Sequence, residues 1–278
     1  MIRCGRISYT NDLPIYAAFD AGAVDFPGTL VAGVPTALNA RLSGGELDIS
    51  PISSFHFAKN ADAFILLPDV CIGVQREVRS IYCISRRPPA DLAGVKIAAT
   101  RESATGRNLF ATICAERYGF VPDFVESDDP LAAYRADGSP CLLIGDAAID
   151  GFFAAEKGEA HDIGLLWHEL TGLGMAYAVW AVRRAVAADR PTDVESVAAA
   201  LRRAKAWGAE NIDSVIAAAQ SAHARPAGFY RDYFRTLNFD FDGAARRGLM
   251  RFFELAVRHR LLNAVPHLEF LREVHTHV

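Results

Sequence analysis

Ser80-Ile81-Tyr82-Cys83-Ile84-Ser85-Arg86-Arg87-Pro88-Pro89 is the stretch on which the reading of the fold turns. An apolar, β-rich run ends in a basic, proline-rich turn and linker signal. Before it, short strand patterns alternate with helical ones. Residues 2–8 read as a strand. Residues 11–20 read as a helix, with Asn11 as its N-cap and Pro14 in its first turn. Residues 29–34 are apolar and β-branched, Pro35 opens a helix over 36–43, and Gly44-Gly45 closes it. Further strands are expected at 47–52, 64–67 and 78–84, with a short helix after Ser53-Ser54.

Beyond the break a second set begins. Residues 95–100 read as a strand, 103–118 as a helix, and 141–144, 164–167 and 177–182 as strands. After about residue 190 the spacing turns helical, over 193–207, 209–224, 227–237, 243–262 and 265–274. Alternation of this kind predicts an α/β protein with mainly parallel sheets and helices on both faces, finished by a helical C-terminal segment.

The 278 residues exceed the usual single-domain size of about 100–200, which favours two lobes. With 51% hydrophobic and 22% charged residues the chain is globular, and disorder is excluded. Lys+Arg 29 against Asp+Glu 33 leaves a net charge of −4, which argues against a nucleic-acid partner. Cys4, Cys71, Cys83, Cys114 and Cys141 are scattered, form no CxxC pair, and read as buried free thiols of a reducing compartment. Met1 to Ser8 passes directly into strand pattern without a secretory signal, and no apolar run is long enough for a membrane span. A cytoplasmic location is therefore expected.

Several catalytic templates are absent. There is no nucleophile elbow, P-loop or dinucleotide fingerprint, and the eight histidines form no zinc pattern, so neither cofactor nor metal is expected. In open α/β sheets, ligands bind beyond the carboxyl ends of strands, where helix N-termini present N–H groups. That rule selects Ser8 with Asn11, Ser53 with Ser54, Ser80, Ser103-Ala104-Thr105, and Asp146. Helix capping alone explains Asn11, Ser53, Ser103 or Thr105 taken singly. Taken together they form a polar, uncharged lining suited to carboxylates. Asp48, in Gly45-Glu46-Leu47-Asp48, is read as fixing a helix-to-strand turn.

These residues carry a resemblance. Ser8-Tyr9-Thr10-Asn11 with Pro14, Gly33-Val34-Pro35 with Leu38-Asn39, and Gly45-Glu46-Leu47-Asp48 through Ser53-Ser54 look like one family. So do Val78-Arg79-Ser80, Glu102-Ser103-Ala104-Thr105, Leu143-Ile144-Gly145-Asp146 and Trp167 with Thr171-Gly172-Leu173. The chain resembles the chorismate dehydratases of the futalosine-type menaquinone pathway. The resemblance implies the two-lobed fold of type II periplasmic binding proteins, with mixed or mainly parallel sheets. The first lobe would be residues 1–84 plus 179–278 and the second 85–178, with the ligand cleft between them. It implies dehydration of chorismate, a dianion, to 3-[(1-carboxyvinyl)oxy]benzoate.

On that reading Asn11 and Ser80 are the catalytic candidates. Ser8, Ser53, Ser54, Ser103, Ala104, Thr105 and Asp146 are the substrate-binding ones. Ser103 and Thr105, with the helix N-terminus, would hold one carboxylate. The base is left open between Asp146, the substrate's own side-chain carboxylate and another group. Two residues depart from the family pattern: Gly106, where a hydroxyl residue is usual, and Gly174, where proline is common. A non-catalytic solute-binding or ligand-sensing protein of the same fold is the main alternative, and the related 1,4-dihydroxy-6-naphthoate synthase a second.

Overall fold

A computed structural model describes residues 1–101 and 104–271 of the chain. The elements follow in chain order: β1 (Ile2–Ile7), α1 (Leu13–Asp20), β2 (Gly28–Gly33), α2 (Pro35–Ser43), β3 (Ile49–Ser53), α3 (Ser54–Lys59), β4 (Phe64–Val74) and β5 (Ile81–Ile84). The middle of the chain gives β6 (Lys96–Ala99), α4 (Ala104–Tyr118), β7 (Asp123–Glu126), α5 (Pro130–Asp137), β8 (Cys141–Ile144), α6 (Gly145–Ala154), β9 (Ala160–Asp162) and α7 (Ile163–Thr171). The last part gives β10 (Met175–Arg183), α8 (Arg184–Asp189), α9 (Pro191–Glu210), α10 (Ile212–Ala222), α11 (Ala227–Thr236), β11 (Leu237–Asn238) and α12 (Gly243–Arg258).

Two sheets result. One has the order β11-β4-β10-β3-β1-β2 and the other β7-β6-β8-β5-β9. The chain leaves the first sheet after β4 and returns to it at β10, so both crossings lie close together, at residues 75–80 and 172–174. β5 pairs with β8 and β9, which puts Ile81–Ile84 in the second sheet, while the residues before it build the first. Both sheets are mixed rather than mainly parallel. β1 runs parallel to β2 and β3, but the return strand β10 is antiparallel to β3 and β4. In the second sheet β6 is parallel to β7 and β8, and β5 is antiparallel to β8. In the first sheet β10 and the short β11 run against the other strands, and in the second β5 does, which periodicity along the sequence does not record.

β10 carries the core. Met175 to Val182 is buried throughout because β10 lies inside its sheet with helices over it, and Trp180 is fully enclosed. Its Met175, Val179 and Val182 side chains each contribute about 1.5–3 kcal/mol over leaving them in water. α12 presses Leu249, Phe252, Phe253 and Ala256 inward, the face its spacing predicts, against β10 and α4. α9 lies on α1, and only glycine fits at 208, since a Cβ there would stand 1.7 Å from the Pro14 carbonyl oxygen.

Local readings differ from the structure in three places. Residues 164–167 are helical, not a strand. Asp162 caps α7 by accepting the Leu165 N–H at 2.9 Å, and the short apolar run suits either period. Residues 265–271 are not helical. Pro266 interrupts the pattern, and Phe270 pairs instead with Leu66 at the sheet edge. Asn11 is not an N-cap: it sits inside a 3-10 turn, Thr10–Asp12, ahead of α1. The five cysteines are free and buried. Among the described residues no helix is long and apolar enough to cross a membrane, and no cluster suits a metal.

Candidate functional site

Between the sheets lies a cavity of about 640 Å³ of empty volume, part of it open to solvent. Asn11, Ser53, Ser80, Ala104 and Thr105 line it, together with Tyr9, Gly106, Gly145 and Tyr177. None of the described lining residues carries a formal charge. Asn11 and Ser53 lie at or just beyond the carboxyl ends of β1 and β3, Ala104 and Thr105 open α4, and Ser80 instead lies just before the start of β5. Ser54 is buried just behind the wall. Ser8 and Asp146 line an adjoining surface hollow with Thr10, Asp12 and His223, which shares Ile7 and Tyr9 with the cavity. Ser103 lies outside the described residues.

At one end of the cavity Thr105 Oγ1 is the centre of a knot. It lies 2.7 Å from Ser53 Oγ and 3.3 Å from Ser54 Oγ, accepts the Phe55 N–H at 3.2 Å, and donates to the Tyr177 carbonyl at 3.2 Å. Asn39 adds a further tie by accepting the Ser53 N–H at 3.2 Å. A hydroxyl has one proton and two lone pairs, so Thr105 is fully engaged within the protein. What this end offers a ligand is the first turn of α4, where Gly106 places no side chain over the backbone.

The other end is built differently. β1 stops at Ile7 because the Asp12 carboxylate accepts the Ile7 N–H at 2.8 Å, which folds the chain back into the turn that presents Asn11. Asp12 is buried, and this burial drives its carboxyl well above the usual carboxylate range. The Asn11 carboxamide oxygen is buried with no partner. Facing it, Gly145 has φ 60° and packs on Tyr9 so closely that a Cβ would come within 2.8 Å of the ring. Its N–H donates to the Ser80 carbonyl at 2.8 Å.

Ser80 follows Arg79, whose φ of 55° is unusual for a residue with a side chain. Asp162 holds that conformation, accepting the Val78 N–H at 3.0 Å and the Arg79 N–H at 2.7 Å. Burial raises the Asp162 carboxyl despite these donors. The strand-end rule does not select Asp162 or Tyr177. Only Asp162 leaves a local signal in the sequence, as an N-cap three residues before Leu165. Asp48 does what its turn suggests: it pairs with Arg3 at 3.0 Å and Arg190 at 3.1 Å. Burial opposes its ionisation, yet the Arg3 and Arg190 donors prevail and bring its pKa to about 2.

Over residues 2–258 the chain matches the family described as menaquinone biosynthesis. The chain belongs to that family. This menaquinone-biosynthesis protein is 30% identical over 241 residues to the chorismate dehydratase of Thermus thermophilus, covering 80% of this chain and 84% of the relative. Among solved structures, a protein from Archaeoglobus fulgidus superposes with a TM-score of 0.76 at 20% identity, covering 94% of this chain and 98% of that one. The periplasmic aliphatic sulphonate binding protein of Escherichia coli gives 0.63 at 16% identity, covering 100% and 96%. The fold of this family member is therefore periplasmic-binding-protein-like, with two sheets and a cleft, as the sequence motifs implied.

Proposed function

We propose that this chain is a chorismate dehydratase, a hydro-lyase that converts chorismate to 3-[(1-carboxyvinyl)oxy]benzoate and water in menaquinone biosynthesis. The observation that carries this reading is its 30% identity to a chorismate dehydratase across 80% of the chain. The cavity supports it, because an uncharged wall of amide, hydroxyl and N–H donors suits a dianion whose charge must move during reaction. The two sheets act as the two lobes, with the crossings at 75–80 and 172–174 as the hinge. The buried free thiols suit a reducing cytoplasm.

The ring carries a C–H that the ring carboxylate acidifies through the intervening double bond. Loss of that proton leaves an electron pair delocalised onto the ring carboxylate. The neighbouring C–O bond then breaks, the hydroxide leaves with a proton as water, and the ring becomes aromatic. Aromatisation supplies the driving force, so the protein's task is to orient the substrate and stabilise the intermediate. The α4 N-terminus at Ala104, Thr105 and Gly106 would hold one carboxylate. Asn11 and Ser80 would contact the reacting carbon and the departing hydroxyl.

No histidine lines the cavity among the described residues, and Asp146 lies outside its lining. This favours the substrate's own side-chain carboxylate as the base, held over the ring by the enzyme. Incubation of the purified protein with chorismate, with the product identified by mass and aromatic absorbance, tests the reading. Stoichiometric loss of water and appearance of the substituted benzoate are expected. Binding of chorismate with no turnover would replace this reading with the solute-binding one.

A further inference from the structure

We propose that Asp146 is a positioning residue that sets the two catalytic candidates against each other across the cleft. This rests on the dehydratase reading for the identity of those candidates. Gly145-Asp146 opens α6, on the second sheet, and reaches both of them. The Gly145 N–H donates to the Ser80 carbonyl at 2.8 Å. The Asp146 carboxylate accepts the Thr10 N–H, with its two oxygens at 3.3 and 3.4 Å, one residue before Asn11. Ser80 lies on the crossing into the second sheet and Asn11 beyond the end of β1 in the first. Two adjacent residues thus fix a distance that no single sheet could fix.

The carboxylate is itself held. His223 Nε2, just past the end of α10, stands 3.1 Å from Asp146 Oδ2. Along α6 the contact continues: Ile149 is buried against Val215, Tyr230, Tyr233 and Phe234. Arg225 pairs with Asp150 and lies over the Phe153 ring at 4.8 Å, and Phe153 meets Phe229 edge to face at 5.0 Å. The C-terminal helices therefore clamp α6 in place, and Asp146 passes that placement to the Asn11 turn. With Thr10 and His223 taken, Asp146 lines the adjoining hollow and not the uncharged cavity. A carboxylate spent this way orients others and has no need to move a proton.

Asp146→Asn and Asp146→Ala separate the roles. The Asn side chain keeps an oxygen that can accept the Thr10 N–H, whereas Ala removes it. Asp146→Asn should hold kcat within about fivefold of wild type, and Asp146→Ala should lower it by about 100-fold, the cost of misplacing a catalytic group by about 1 Å. Amide hydrogen exchange in the unliganded protein supplies a readout independent of turnover. The Thr10 amide should exchange about tenfold faster in Asp146→Ala than in wild type, with β6 and β8 unchanged. Loss of activity in Asp146→Asn equal to that in Asp146→Ala would assign a proton-transfer role and overturn the proposal. Full activity in Asp146→Ala, or unchanged exchange at Thr10, would overturn it as well. Were wild-type protein inactive on chorismate, the dehydratase reading would fail while the exchange experiment still decided the contact.

Discussion

The two ends of the cavity use similar residue types to opposite ends. Around Thr105, hydroxyls from α3, α4 and β3 are bonded to one another and to the backbone, so that little side-chain capacity remains. Around Asn11, a buried amide oxygen has no partner, and a glycine with φ 60° brings backbone against the Tyr9 ring. A saturated end is rigid and can present helix N–H groups to a fixed charge. An unsaturated end has capacity reserved for a group that changes during reaction. The difference separates holding the substrate from acting on it, within one uncharged pocket.

That division can be broken at either end. Asn11→Ala should give the largest effect, a fall in kcat of about 10³-fold, as when one hydrogen-bonding group of a pre-organised site is removed. Steady-state kinetics with folded protein, checked by circular dichroism, measures it. Gly145→Ala comes next. A side chain there costs about 1–2 kcal/mol in the left-handed region and pushes Tyr9 away, so kcat should fall about 30-fold.

Thr105→Val should instead act on stability. It removes the partner of the buried Phe55 N–H and Tyr177 carbonyl, and urea unfolding should show a loss of about 2 kcal/mol. Activity in the fraction that remains folded should fall less than in Asn11→Ala.

The smallest effect lies away from the cavity. Asp48 is held at a pKa of about 2, below its value in the unfolded chain, so the stability it contributes is present above about pH 4. It is lost as the pH falls through about 2. Because Arg3 is half exposed, Asp48→Asn should cost only about 1 kcal/mol at neutral pH. The difference from wild type should vanish between about pH 4 and pH 2, as thermal unfolding over that range would show.

Much of this was legible in the residues. Hydroxyl and amide side chains near strand and helix ends mark four cavity positions, Asn11, Ser53, Ser80 and Thr105, and Pro35, Gly44 and Asp48 act as their local signals predict. What sequence order could not carry was distance. Thr105 reads as a free carboxylate donor until β10 brings the Tyr177 carbonyl to it from 72 positions away. Asp146 reads as a cavity residue until the fold turns it toward Thr10, 136 positions earlier. The antiparallel return of β10 belongs to the same class, since strand direction follows from where the chain re-enters a sheet.

The most direct test of the division sets turnover of chorismate beside equilibrium binding of the benzoate product, in wild type and Asn11→Ala. Loss of turnover by about 10³-fold with product affinity kept within about tenfold is the predicted result. Turnover surviving in Asn11→Ala, or affinity falling in step with it, would contradict the account.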